Sequence, residues 1–98
     1  MTVRYSRRSL TQIANIIAAF AVDDPPTATM FARRVETLAR LLASHPSIGR
    51  QTDFAGIRVL PMKPYPYLIF YQPDPAGAGI TVLRVRHMAR DVDWRTGR

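Results

Sequence analysis

Residues 64–91, PYPYLIFYQPDPAGAGITVLRVRHMARD, decide how this chain is expected to fold. They predict a β-hairpin in which an aromatic strand at 67–71 meets a second strand at 80–86 across a turn of prolines and glycines. The first strand is apolar on both faces, as is typical of a central strand covered on both sides. The segment before it, residues 63–66, carries two prolines and is expected to be stiff and extended.

Alternation along the second strand predicts which side chains share a face of the sheet. One face carries Thr81, Leu83, Val85 and His87, and the other carries Ile80, Val82, Arg84 and Arg86. Packing against helices favours Leu83 and Val85 as the inward pair. Arg84 and Arg86 are then expected side by side on the open face, opposite His87.

The first 44 residues predict a short strand and two amphipathic helices. Residues 2–5 alternate polar and apolar side chains, and Ser6 is placed to cap a helix that begins near Arg7. The Asp-Asp-Pro-Pro sequence at 23–26 ends that helix, and a second runs from about residue 27 to 44. The predicted buried faces are Leu10, Ile13, Ile17 and Phe20 with Ile16 at the edge, then Phe31, Val35, Leu38 and Leu42 with Ala28 and Ala39.

Two apolar residues of the second helix, Met30 and Leu41, lie about a quarter-turn from its buried stripe, next to Arg34 and Thr37. Two interpretations are open. They line a slightly wider core, or they form a small apolar surface that awaits a partner helix.

The remaining segment completes the predicted fold. Residues 46–55 are expected to form a loop with Gly49 as its turn residue, and a short strand follows at 57–60. The element order is therefore β-α-α-β-β-β, an α+β fold with a helical hairpin packed on one face of a small, mainly antiparallel sheet. The 98 residues are expected to form a single domain, 1–98, that buries roughly two-thirds of its unfolded surface.

Composition limits the possible partners and compartments. Fourteen basic residues face seven acidic ones, which gives a net charge of +7, and Lys63 is the one lysine among thirteen arginines. This charge attracts an acidic protein, nucleic acid or an anionic membrane without choosing among them. The absence of cysteine fits a reducing cytosol. No apolar run suggests a secretory signal or a membrane span.

Three common catalytic or cofactor-binding motifs, Gly-x-Gly-x-x-Gly, the P-loop and Gly-x-Ser-x-Gly, are absent from the sequence. The two histidines, His45 and His87, and the scattered carboxylates predict neither a metal site nor a cofactor, and no glycine-rich phosphate loop occurs. One cluster remains near the C-terminus: Arg84, Arg86, His87, Arg90 and Trp94. It could simply close the last strand, with Arg90 paired to Asp91 or Asp93, or it could bind a protein. A third interpretation is RNA cleavage, with His87 exchanging a proton and arginines stabilising charge on phosphorus.

Several short motifs resemble, in their order and spacing, those of one protein family. They are Pro-x-x-Gly-Arg at 46–50, Gly-x-Arg at 56–58, Pro-Tyr-x-Ile-x-Tyr at 66–71 and His-x-x-Arg-Asp at 87–91. Together with two helices around the Pro-Pro pair, they make the chain similar to the ParE/RelE superfamily of bacterial toxins, and to its ParE branch in particular. The resemblance runs over nearly the whole chain.

The resemblance implies a cytoplasmic toxin that inhibits growth and is held by a co-expressed antitoxin in a hetero-oligomer, without membrane contact. ParE-like members are understood to act on DNA gyrase without nuclease activity, whereas RelE-like members cleave mRNA on the ribosome. The single lysine and the lack of a tyrosine after His87 favour gyrase and lean against an enzyme. A RelE-like mRNA interferase is the alternative, and a non-toxic basic nucleic-acid-binding module is a further one.

Two candidate surfaces follow from this resemblance. The expected target-binding residues are Arg84, Arg86, His87, Arg90 and Trp94. The expected contacts for an acidic, ParD-like antitoxin are Met30, Arg34, Leu41 and Arg58.

Overall fold

Two long helices and a five-stranded sheet make up most of residues 2–90, the part of the chain that the computed structural model describes. The elements in chain order are β1 (Thr2–Tyr5), α1 (Arg7–Asp23), α2 (Pro25–Ser44), β2 (Arg50–Gln51), β3 (Arg58–Pro61), β4 (Tyr67–Pro73), β5 (Gly79–His87) and a 3₁₀ turn (Met88–Arg90). The sheet order is β1-β5-β4-β3-β2. β1 runs parallel to β5, and all other neighbours are antiparallel. The predicted α+β fold is confirmed.

Side-chain caps define both helix starts. The Ser6 hydroxyl accepts a hydrogen bond from the Ser9 amide at 3.0 Å, as predicted. Asp24 accepts one from the Thr27 amide at 3.3 Å. α2 begins at Pro25, earlier than expected, because prolines fit the first turn of a helix, where no amide donor is needed.

The helix-facing core follows the predicted stripe of α2, in which Phe31, Val35, Leu38 and Leu42 are at most 4% exposed. The prediction for Leu10 in α1 is wrong, since this side chain is 52% exposed. Consecutive helix residues are about 100° apart, and it is the adjacent Ser9 that is fully buried.

A β-bulge interrupts the pairing of β4 with β5. Tyr71 pairs with Val82 and Phe70 with Arg84, so Leu83 is the extra residue of β5. The prediction that Leu83 faces the helices is therefore wrong, because the bulge shifts the alternation by one residue. Leu83 is only partly buried.

The bulge also changes which residues of β5 enter the core. Ile80, Val82 and Val85 lie in the helix-facing core and are at most 3% exposed. The prediction of Ile80 and Val82 on the open face is wrong for the same reason. Beyond the bulge, Arg84 lies over Phe70 on the face away from the helices, as expected. Arg86 alternates with Val85 toward the same face, but its side chain lines a cleft beside the end of β5 together with His87, so the prediction that the two residues are kept apart is wrong.

The connections around β3 differ from the sequence expectation in two places. Residues 63–66 turn instead of running extended, because β3 and β4 are antiparallel and the chain must reverse between them. The Tyr65 amide donates to the Met62 carbonyl at 3.0 Å, and the Met62 amide donates to the Tyr67 carbonyl at 2.9 Å. The predicted loop at 46–55 contains β2, which is too short to produce an alternating pattern.

Candidate functional site

A cleft of about 650 Å³ lies between α1 and the end of β5. Its lining combines basic, polar and apolar side chains: Arg8, Gln12, Asn15, Ile16, Tyr67, Val85, Arg86, His87, Ala89 and Arg90. Three of the predicted target-binding residues, Arg86, His87 and Arg90, therefore meet in one place. No acidic residue is among the described residues that line it.

Side chains of the α1 region hold the wall of this cleft against β5. β1 pairs with β5 only as far as Val82, so none of the described strands lies beside that edge of β5 beyond this residue. The Ser6 hydroxyl donates to the Leu83 carbonyl at 2.8 Å, and Gln12 Oε1 accepts from the Val85 amide at 2.8 Å. These bonds replace strand pairing and fix α1 relative to β5.

The imidazole of His87 is fixed by two contacts. Its Nδ1 accepts a hydrogen bond from the Ala89 amide at 3.1 Å, and its ring packs edge-on against Tyr67 with centroids 5.2 Å apart. An accepting Nδ1 places the proton of the neutral ring on Nε2. The unprotonated nitrogen therefore accepts a hydrogen bond from the backbone. This fits a side chain that caps the 3₁₀ turn better than one that acts as a general base.

The arginines of the cleft have no carboxylate partner within residues 2–90. Arg86 Nη2 donates to the Arg90 carbonyl at 3.4 Å, which links β5 to the 3₁₀ turn. The ion pair found within residues 2–90 joins Arg40 and Glu36 on the outer surface of α2. Within residues 2–90, no carboxylate therefore neutralises the positive charge of the cleft.

Arg84 lies apart from the cleft, on the face of the sheet away from the helices. Its guanidinium carbon lies 4.4 Å from the centre of the Phe70 ring, a cation–π contact. Phe70 forms a small buried cluster with Val59 and Leu68. The structure thus separates Arg84 from His87, and Trp94 lies outside the described residues.

Of the four predicted antitoxin contacts, three lie on α2 and the fourth, Arg58, lies on β3. Met30 and Leu41 are 59% and 44% exposed, so the wider-core interpretation is wrong and both present apolar surface. Arg34 Nε donates to the Lys63 carbonyl at 3.0 Å. Arg58 is hydrogen-bonded to the loop after α2, because its Nη1 donates to the Gly49 carbonyl at 2.6 Å.

Sequence reasoning missed the contribution of α1 to the cleft. Arg8, Gln12 and Asn15 are spaced four and three residues apart, which puts them on one side of the helix. This polar stripe was visible in the sequence, but nothing there indicated which strand it faces. Among residues 2–90, no group of three metal-ligating side chains occurs and no helix is long and apolar enough to cross a membrane.

Known proteins share this sequence pattern and this fold. The family model described as "ParE toxin of type II toxin-antitoxin system, parDE" matches residues 3–92. A Sinorhizobium fredii protein named "Putative toxin Y4kP" is 29% identical over 85 residues, which is 87% of this chain and 85% of that protein. A chain of the "Chromosomal ParDE TA system from P. aeruginosa" matches with a TM-score of 0.74 and 19% identity, over 89% of this chain and 95% of that chain. This last likeness shows a common fold.

Proposed function

The chain belongs to the family of ParE toxins of type II toxin–antitoxin systems, and we propose that it arrests growth by binding DNA gyrase, without cleaving RNA. In this proposal the whole chain acts as one domain in the cytoplasm. A cognate antitoxin, acidic and ParD-like, holds it in a hetero-oligomer until release.

The observation that supports binding over cleavage is the separation of the residues that an mRNA interferase would need together. Such an enzyme would require Arg58, Arg84, Arg86 and His87 to converge on one concave face. Arg58 instead donates to the Gly49 carbonyl, and Arg84 lies over Phe70 on the face away from the helices. His87 Nδ1 accepts from the Ala89 amide, so it is not free to take a proton from a ribose hydroxyl.

The target surface in this proposal consists of the cleft residues Arg86, His87 and Arg90, with Arg84 and Trp94 as further contacts. Arginine and tryptophan supply much of the binding energy at protein interfaces. A net charge of +7 also speeds encounter with an acidic surface.

The antitoxin surface in this proposal is the exposed side of α2 around Met30, Arg34 and Leu41. An acidic segment that folds as an amphipathic helix would bury the two apolar side chains and place carboxylates near Arg34. Arg58 contributes by holding residues 47–49 in place, since it donates to the Ser47 and Gly49 carbonyls.

The test compares two activities of the purified chain. We expect it to inhibit plasmid supercoiling by purified gyrase and to leave mRNA intact in a translation extract. Deletion of residues 93–98, which removes Trp94, should abolish the inhibition while antitoxin binding persists. Ribosome-dependent mRNA cleavage with normal gyrase activity would contradict the proposal.

A further inference from the structure

The residue that completes the basic cleft is Arg8, which comes from the first turn of α1 and lines the same cleft as Arg86, His87 and Arg90 at the end of β5. We propose that this cleft is a carboxylate-binding site that receives Asp or Glu side chains of the target protein, with Arg8 and Asn15 as contact residues. This inference rests on the proposed function, because it gives the ligand chemistry of residues assigned there to target binding.

Charge complementarity is the first argument for a carboxylate ligand. Arg8, Arg86 and Arg90 line the cleft, no acidic residue of the described chain lines it, and none of the described carboxylates pairs with these arginines. A guanidinium presents parallel N–H donors that match the two oxygens of a carboxylate. Asn15 adds a neutral amide to the same wall.

The apolar part of the cleft favours a polypeptide over a nucleic-acid strand. Ile16, Val85 and Ala89 lie among the charged groups, which suits the aliphatic side chains of an acidic peptide. Proteins that bind single strands usually offer aromatic faces on which bases stack. Among the lining residues within 2–90, Tyr67 is the one aromatic ring of Phe, Tyr or Trp type, and it already packs against Phe31 at 5.6 Å and His87 at 5.2 Å.

The cleft is also held in shape before any ligand arrives. Gln12 is fixed to the Val85 amide at 2.8 Å, and it lies between Arg8 and Asn15 along α1. The His87 ring is fixed by the Ala89 amide. A pre-formed site loses little conformational entropy when it binds.

The test measures binding of short fluorescein-labelled probes to the full-length chain by fluorescence anisotropy. The probes are a peptide of alternating Glu and Leu, its counterpart with Gln in place of Glu, and an oligothymidylate with the same net charge as the acidic peptide. Arg8→Gln is compared with Arg7→Gln, which removes the same charge from the adjacent exposed position outside the cleft lining. Asn15→Asp is a second variant that places a carboxylate in the cleft.

We expect the acidic peptide to bind more tightly than the other two probes. Arg8→Gln should weaken its binding roughly 10- to 100-fold, as the loss of a charge-assisted hydrogen bond predicts, and Asn15→Asp should also weaken it. Arg7→Gln should change it by less than about threefold. Equal losses in the two arginine variants, or tighter binding of the oligothymidylate through Arg8, would overturn the carboxylate site.

A supercoiling assay with the same variants separates this inference from the gyrase proposal. Arg8→Gln should lower inhibition of gyrase while Arg7→Gln keeps it. If Arg8→Gln loses peptide binding but inhibits gyrase fully, the cleft does not contact the target and the inference fails. If the unmodified chain binds the peptide through Arg8 yet leaves gyrase untouched, the gyrase proposal fails and the carboxylate site remains.

Discussion

The Tyr71 hydroxyl accepts a hydrogen bond from the Gly49 amide at 2.9 Å and donates one to the Pro46 carbonyl at 2.7 Å. Tyr71 is fully buried in β4, so these bonds fasten the loop after α2 to the centre of the sheet. A Cβ at residue 49 would lie 2.6 Å from Cε1 of the Tyr71 ring, and glycine is therefore required for close approach. The loop in turn supplies the carbonyls that hold Arg58.

Replacing Tyr71 by phenylalanine should destabilise the fold. The change leaves the Gly49 amide and the Pro46 carbonyl without the hydroxyl, and an unpaired buried polar group costs roughly 1–3 kcal/mol. Urea unfolding measures the loss. Tyr65→Phe is the matched control, because the Tyr65 hydroxyl has no hydrogen-bond partner within residues 2–90. Equal stability of the two variants would contradict the role of the Tyr71 hydroxyl.

Alkaline pH should weaken the fold through the same residue. Burial raises the pKa of Tyr71, while the hydrogen bond from Gly49 and the charge of Arg58 act in the opposite direction. The unfolded tyrosine releases its proton near pH 10, before the folded one does. The free energy of unfolding is therefore unaffected by this group below that pH and falls as pH rises above it.

Tyr71→Phe provides the check on this pH dependence. Urea unfolding at a series of pH values should show a shallower alkaline fall in the variant than in the unmodified chain. Tyr5 contributes a fall of its own in both proteins, since burial and Glu36 raise its pKa. Identical slopes would mean that Tyr71 does not titrate differently in the folded state.

Truncation of two leucines on α2 should separate the core from the proposed antitoxin surface. Leu38 is 1% exposed, and Leu38→Ala should cost roughly 2–5 kcal/mol of stability. Leu41 is 44% exposed, and Leu41→Ala should cost less than about 0.5 kcal/mol while it weakens antitoxin binding. Thermal unfolding and a binding titration measure the two effects. A large stability loss from Leu41→Ala would show that Leu41 belongs to the core and contradict its place on the antitoxin surface.

Most of the fold could be predicted because helix periodicity and caps are local properties of the sequence. The cap at Ser6 and the buried stripe from Phe31 to Leu42 could be predicted from the residues next to them in sequence. Leu83 could not be placed, because a bulge arises from the pairing of two strands and shifts alternation without a local signal. The predicted burial of Leu10 was wrong because a helix can carry apolar side chains that the elements packed against it do not cover.

The candidate site was harder to predict for a related reason. Arg86, His87 and Arg90 are close in sequence and could be grouped as one candidate surface, but strict alternation placed Arg86 and His87 on opposite faces of the sheet. Arg8 reaches them only through the packing of α1 on β5, which involves residues nearly eighty positions apart. Arg58 looked like a free basic residue, but the loop carbonyls that it binds could not be identified from spacing alone.

Salt should act mainly on the rate at which the proposed antitoxin associates. Electrostatic attraction between a basic toxin and an acidic partner speeds association, and salt shortens its range. Buried apolar contacts instead set the dissociation rate, and so the residence time. Surface plasmon resonance should show association slowing far more than dissociation accelerates. The double variant Met30→Ala/Leu41→Ala should instead speed dissociation, while Leu10→Ala, an exposed leucine on α1, serves as the control. Salt acting mainly through faster dissociation would indicate an ionic interface.

The central claim is that the toxin acts by binding and not by bond cleavage, and His87→Gln tests it most directly. Glutamine keeps a hydrogen-bonding side chain beside the Ala89 amide but cannot titrate as imidazole does. The measurement is growth after induction of the variant in bacteria without antitoxin, compared with the unmodified chain at equal protein level. We predict that growth arrest is retained almost in full. Loss of arrest together with a fall in RNA cleavage rate of roughly 10²- to 10⁴-fold would contradict the account and identify His87 as a catalytic acid or base.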